Sequence, residues 1–256
     1  KMPDGYIVRY KAYEGLRYCT NIEDDAYQQM NVYVPEGATE NTPILLRTYI
    51  GGYMAAKAAR PSAGDATGRA LKEGYVVAIP GSRGRNSVQN GVYTGRAPNG
   101  LLDLKAAVRY LRKFAKDIPA NAERIITDGT SAGGAMSALL GATGNAREYE
   151  PLLKEMGAAE ERDDVFASVC FCPITDLPHA DMAYEWLYNG TDSRQHGDKD
   201  ILAVSNELKA MYPAYLETLR MTEETMLEAI RREIIRSAQI AKDAGAEIPD
   251  GIGFEF

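Results

Sequence analysis

The sequence predicts an α/β fold: a mostly parallel sheet with helices on both faces, followed by a helix-rich insertion. Three observations predict it. Short apolar runs bounded by Gly and Pro alternate with amphipathic stretches as far as Leu177. Several of those runs are apolar throughout, the pattern of strands buried on both faces. Beyond Leu177 strand signals cease and helical periodicity takes over.

Taken in order, residues 6–10, 16–20 and 30–34 read as short strands, the last closed by the turn Pro35-Glu36-Gly37. Residues 43–50 form an apolar run ending in Gly51-Gly52, a buried strand. Residues 62–73 read as a helix stopped by Gly74, and 75–80 as another buried strand leading into Gly81-Ser82-Arg83-Gly84-Arg85. Over residues 101–118, Leu104, Val108, Leu111 and Ala115 recur at helical spacing, with Pro119 as the stop. Residues 124–127 are a short strand, 132–140 a helix of small residues, and 166–172 a last buried strand. In residues 200–244, Leu227, Ile230, Ile234, Ala238 and Ala241 form one stripe, started by Thr222-Glu223-Glu224 and stopped by Gly245. This organisation places an α/β core over residues 1–188 and a helical lid over 189–256. In such sheets ligands bind beyond the carboxyl ends of the strands, where the loops at Gly51, Gly81 and Gly129 all lie.

The 256 residues are 45% hydrophobic, enough for one full core with a small subdomain, and 25% charged. A net charge of -7 without a basic run argues against nucleic-acid or anionic-membrane partners. No apolar stretch reaches the ~18 residues of a membrane span, and no signal peptide is visible, although Lys1-Met2 is not a natural start and leaves secretion open. Cys19, Cys170 and Cys172 have no metal or redox spacing. They read as buried reduced thiols, which leans toward a cytoplasmic compartment. No metal and no cofactor are expected.

Asp128-Gly129-Thr130-Ser131-Ala132-Gly133 carries the chemistry. A serine hydroxyl is a weak nucleophile unless a base takes its proton, and it must stand where a substrate carbonyl can reach it. Gly-x-Ser-x-Gly between a strand and a helix meets the second need by placing Ser on a tight turn. Ser131 is therefore the candidate nucleophile; a glycine-rich turn with Ser131 as a mere helix cap is the alternative. Acyl transfer also needs N–H donors for the developing oxyanion. Ala132, next after the nucleophile, and Gly51 and Gly52, in the loop after the earlier strand, are the candidates. Arg83 and Arg85 could meet a substrate carboxylate or phenol, but loop bracing is the commoner fate of such arginines.

The ordered set Tyr49-Ile50-Gly51-Gly52-Tyr53, Pro80-Gly81-Ser82-Arg83-Gly84-Arg85, Tyr93-Thr94-Gly95-Arg96-Ala97-Pro98, Asp128-Gly129-Thr130-Ser131-Ala132-Gly133-Gly134 and Cys172-Pro173-Ile174-Thr175-Asp176-Leu177-Pro178-His179-Ala180-Asp181 resembles the bacterial tannase and feruloyl-esterase-like branch of the α/β-hydrolases over residues 30–190. The resemblance implies an esterase for aromatic acyl esters such as gallates or hydroxycinnamates, with a lid after the sixth strand. It also implies a catalytic acid and histidine beyond that lid.

The chain departs from the pattern in its histidines, His179 and His196. His179, near Asp176 and Asp181, is a low-ranking candidate base, because triads are defined by geometry rather than chain order. His196 lies in a polar run that reads as a solvated loop. The expectation is that a further segment after Phe256, or a companion chain, supplies acid and base, and that the sheet shows an unfilled edge. A peptidase, or a non-catalytic binding protein on the same fold, are the competing readings.

Overall fold

The computed structural model describes residues 1–192 and 197–247. It divides into two compact units, Lys1–Thr175 and Asp176–Phe256. The sequence reading sets the boundary at residue 188. The difference is the helix α5 (Ala180–Tyr188), which packs on α6 (Lys199–Thr218) within the second unit.

In the first unit the strands β1 (Tyr10–Arg17), β2 (Gln29–Pro35), β3 (Pro43–Arg47), β4 (Val76–Pro80), β7 (Asn121–Thr130) and β8 (Ala167–Phe171) form one sheet in the order β1-β2-β4-β3-β7-β8. Pairings β1–β2 and β2–β4 are antiparallel; β3–β4, β3–β7 and β7–β8 are parallel. The two strands expected over residues 6–20 are one. Gly15, at φ +70°, sits where the β1 register shifts between Tyr13 and Leu16, so it is a bulge and not a break. A two-strand hairpin, β5 (Val88–Gln89) and β6 (Val92–Tyr93), turns through Asn90-Gly91, both at positive φ.

Side-chain alternation sends β2, β3 and β4 to two cores. On β4, Val76 and Ala78 join the larger core, while Val77 and Ile79 join a smaller one with Tyr33 and Leu71. Leu71 belongs to α1 (Ala66–Lys72), which is capped by the Asp65 carboxylate accepting from Thr67 N–H. The opposite face carries α2 (Asn99–Lys113) and α3 (Ala132–Ala142), through Leu104, Val108, Leu111, Met136 and Leu140. The helix α2 stops at Lys113, not at Pro119, because the chain must reverse in time for Asn121 N–H to bond Thr42 O at 2.6 Å and open β7.

A buried ionic cluster ties α2 to its neighbours. Lys105 Nζ and Arg109 Nε each lie 2.8 Å from the Asp163 carboxylate, and Arg109 also reaches Glu150 at the start of α4 (Glu150–Glu155).

The strand β8 is the correction to the expected buried strand. It pairs only with β7 among the described residues, and Phe166, Val169 and Phe171 are exposed. Cys170 is accordingly half-buried and Cys172 exposed. Only Cys19 is the buried thiol expected, and burial pushes it up to about 12, so it stays protonated.

In the second unit α7 (Glu223–Asp243) starts at a Thr222–Thr225 capping box and ends before Gly245 at φ +85°. Its stripe Leu227, Ile230, Ile234, Ala238 and Ala241 is half-covered, and no α7 residue is fully buried. No described helix is long and apolar enough to cross a membrane. His196, singled out above, lies outside the described residues, as do residues 248–256 of the expected lid.

Candidate active site

Ser131 occupies the one-residue step from β7 into α3. Its backbone lies at φ 58°, ψ -123°, a left-handed conformation that an L-residue adopts only when its surroundings enforce it. The enforcement is visible. Ser131 N–H donates to Phe171 O on β8 at 2.9 Å, and Ser131 O accepts from Ala135 N–H at 2.9 Å. Around it the backbones touch. A methyl on Gly129 would strike the Gly133 carbonyl, and one on Gly134 would strike the Phe171 carbonyl. The residue types at 129, 133 and 134 are thus set by closeness and not by conformation, since none of these glycines is at positive φ. The result is an exposed Ser131 beside a buried Ala132.

The loop after β3 lies against this turn. Thr48 N–H donates to Asp128 O at 2.9 Å, and Thr48 Oγ1 reaches Asp128 O and Gly133 O at 3.3 Å. A methyl on Gly133 would crowd Ile50 O at 2.8 Å. The candidate donors Gly51 and Gly52 follow directly. Among the described residues the N–H groups of Gly51, Gly52 and Ala132 donate to no protein acceptor. Gly52 and Tyr53 have φ of 55° and 57°, and Met54 N–H closes the turn on Gly51 O at 3.0 Å.

Two anchors that the sequence reading does not single out hold these loops. Arg47 Nη1 and the buried Asp128 carboxylate form an ion pair of 2.7 Å between neighbouring strand ends. Tyr49 OH donates to Asp65 Oδ2 at 2.5 Å, and burial, with Asp65 second, pushes the phenol up to about 12. Both join side chains far apart in the chain, which periodicity does not weigh.

The loop Ser82–Arg85 braces, as the sequence suggested. Arg83 is buried. It bonds Asp103 through Nε at 3.0 Å and Nη2 at 2.9 Å, and also pairs with Glu23. Arg85 reaches a backbone carbonyl instead of an acid, with Nε 2.8 Å from Gly52 O.

In the second unit His179, the one histidine among the described residues, has Nδ1 2.8 Å from Asp176 Oδ1. Its ring stacks on Tyr215 at 3.8 Å, and Tyr215 OH donates to Asp176 Oδ2 at 2.5 Å. The Tyr215 bond and then the His179 bond hold the Asp176 carboxyl below its usual range. Asp181 lies in the first turn of α5 and shares no described contact with His179. Among the described residues no three His, Cys, Asp or Glu side chains cluster as a metal site needs.

A family model, BD-FAE, matches residues 30–215, which contain every element of this site. The chain belongs to the BD-FAE family. Solved structures of tannases share the BD-FAE chain's fold. The Fusobacterium nucleatum tannase is 41% identical with a TM-score of 0.72, covering 88% of this chain and 55% of that one. The native tannin acyl hydrolase of Lactobacillus plantarum is 35% identical with a TM-score of 0.77, covering 96% and 62%. A tannin acyl hydrolase in complex with ethyl gallate is 35% identical with a TM-score of 0.76, covering 95% and 62%. The chain therefore spans a little over half to about three-fifths of these structures' length. The likeness confirms the tannase-like branch of the α/β-hydrolases suggested by the motifs. No curated protein matches the chain.

Proposed function

We propose that this BD-FAE chain forms the nucleophile-bearing part of a serine carboxylic-ester hydrolase acting on aromatic acyl esters. The observation that carries the reading is Ser131 itself: exposed, left-handed, and flanked by the unpaired N–H groups of Ala132, Gly51 and Gly52. In the proposed reaction a base takes the Ser131 proton and Oγ attacks the ester carbonyl. The tetrahedral oxygen is held by N–H of Ala132 and of the Gly51-Gly52 loop. The alcohol leaves, and water then releases the acid from the acyl-serine. The aromatic acyl group is suggested by the gallate ester bound to a relative. The helical second unit is read as a lid.

A fluorophosphonate label tests the nucleophile, because only an activated serine reacts quickly. The whole enzyme, with the segment or companion chain that supplies its base, should be labelled and should hydrolyse methyl gallate or methyl ferulate with a higher kcat/KM than a butyrate ester. Ser131→Ala should abolish both activities while staying folded; wild-type-like turnover by that variant would overturn the assignment.

The base is tested separately. Asp176 orients His179 as the acid of a triad orients its histidine. Loss of turnover in a folded His179→Ala variant assigns the base to that pair. Unchanged turnover assigns acid and base to a further segment or companion chain, the source the motifs favour. Cleavage of chromogenic dipeptides in preference to esters would favour the peptidase reading. Tight ligand binding with no label would favour a binding protein.

A further inference from the structure

Arg85 brackets the turn that follows β3. Its Nε donates to Gly52 O at 2.8 Å and its own N–H donates to Tyr53 O at 2.8 Å. The loop after β4 lies flush on this turn. Ser82 and Ala56 exchange two backbone bonds, Asn86 Oδ1 accepts from Ala55 N–H at 2.7 Å, and a methyl on Gly84 would strike the Tyr53 to Ala55 backbone.

The turn Gly51–Met54 carries positive φ at both central residues, Gly52 and Tyr53, which is the type I′ pattern. A β-turn has a second state in which its central peptide is flipped. For a glycine followed by a tyrosine the flipped type II′ form is locally preferred, because only the glycine then sits at positive φ. The observed form keeps Tyr53 left-handed, at a cost of about 1 kcal/mol. Arg85 supplies what offsets it. The C=O and N–H of a trans peptide point in opposite directions, so a bond on the Gly52 carbonyl fixes the whole central peptide. Sheet order gives that bond its direction. The strand β3 lies between β4, whose loop carries Arg85, and β7, whose end carries Ser131. A Gly52 carbonyl bonded to Arg85 is tied to the loop after β4 and not to the loop that carries Ser131.

We infer that Arg85 is a positioning residue for acyl transfer: it keeps the Gly52–Tyr53 peptide from flipping, so the turn offers N–H groups and no carbonyl to the oxyanion. The inference rests on the reading of Ser131 as nucleophile. A carbonyl swung toward a developing negative charge would raise the barrier of the chemical step more than it would weaken substrate binding. Arg85 touches no reacting atom and acts through the turn.

The test uses the intact chain with Arg85→Ala, Arg85→Lys and Asn86→Ala. Steady-state kinetics on methyl gallate and the rate of fluorophosphonate labelling are both measured. Arg85→Ala should lower kcat and the labelling rate together, by roughly tenfold, since it frees the carbonyl that follows the Gly52 donor to turn toward the oxyanion. KM should stay within about twofold, and added ethylguanidinium or the Lys variant should restore part of the loss. Asn86→Ala breaks a neighbouring bond outside the central peptide and should leave kcat within about twofold of wild type. A raised KM at unchanged kcat, unchanged kcat and KM, or equal kcat losses in both alanine variants overturns the positioning role while leaving Ser131's role intact. If Arg85→Ala does not fold, Arg85→Met, which keeps the stem but cannot donate, takes its place: a lowered kcat and labelling rate at unchanged KM sustains the inference, and wild-type kcat overturns it. A wild-type enzyme that holds its base, from His179, a further segment or a companion chain, and still neither turns over esters nor labels overturns the reading of Ser131, and this inference with it.

Discussion

At the scale of single residues, the glycines around Ser131 separate into three kinds. Gly129 is set by closeness: a side chain there meets the Gly133 backbone and Thr48 Oγ1. Gly51 has no heavy atom within 4 Å of an added methyl and no positive φ. Gly129→Ala should therefore destabilise the first unit by about 2 kcal/mol, as overpacking does, while Gly51→Ala leaves its melting temperature unchanged. Equal melting temperatures for the two variants would refute the packing argument. Gly52 differs again, with space for a side chain but φ at 55°. For a folded Gly52→Val variant we expect kcat to fall about a hundredfold with KM little changed, the signature of a lost oxyanion donor. Unchanged turnover would remove Gly52 from the proposed oxyanion site. Ser131 and Ala132 stand out in the sequence as candidates because Gly-x-Ser-x-Gly has a fixed spacing, and this pair of glycines because it follows a buried strand. Thr48, Asp65 and Asp128 were not, because each acts through a partner far along the chain, and a single sequence does not display such pairs.

At the scale of elements, periodicity located the inner strands and α2, α3 and α7, and missed where burial depends on neighbours. The apolar run before Cys172 promised a buried strand, yet β8 is the edge strand among the described residues and exposes Phe166 and Phe171. The hairpin β5–β6 escaped because each strand has two residues, although Asn90-Gly91 signals its turn. The ionic cluster on α2 shows what amphipathic patterning leaves out. Burial pushes the Asp163 carboxyl up, but the Lys105 bond, Asn145 N–H at 2.8 Å and Arg109 outweigh it and hold it below its usual range. A depressed folded value means the stabilisation is present above the unfolded value of ~3.9 and is lost as pH falls through the folded one. Asp163→Asn leaves the buried Lys105 without a counter-charge, while Arg109 keeps Glu150, and should cost about 3–5 kcal/mol at pH 7. It should also flatten the decline in stability between pH 5 and pH 2 in urea titrations. An equally steep decline in the variant would show that other carboxylates set the acid sensitivity.

At the scale of the molecule, the two units differ in how much they bury. Both apolar cores consist of first-unit residues, whereas the described buried residues of the second unit are Glu185, Ser205, Tyr212 and Leu216. Calorimetry should therefore show departure from a single two-state transition, with the helices melting first; one transition with matching calorimetric and van't Hoff enthalpies would contradict this. The order β4-β3-β7 has a consequence in time. The Thr48–Asp128 bond that seats the Ser131 turn joins residues 80 apart in the chain. Forming it requires closing a long loop after β4 has been threaded beside β3, and such non-local parallel pairings are slow. During refolding from urea, the helical circular dichroism signal should recover first. Reactivity of Ser131 toward the fluorophosphonate should return last, with a lag that mixing experiments can measure. The reactive serine thus reports the completion of the sheet's central pairing, and its reappearance marks the moment at which that loop has closed.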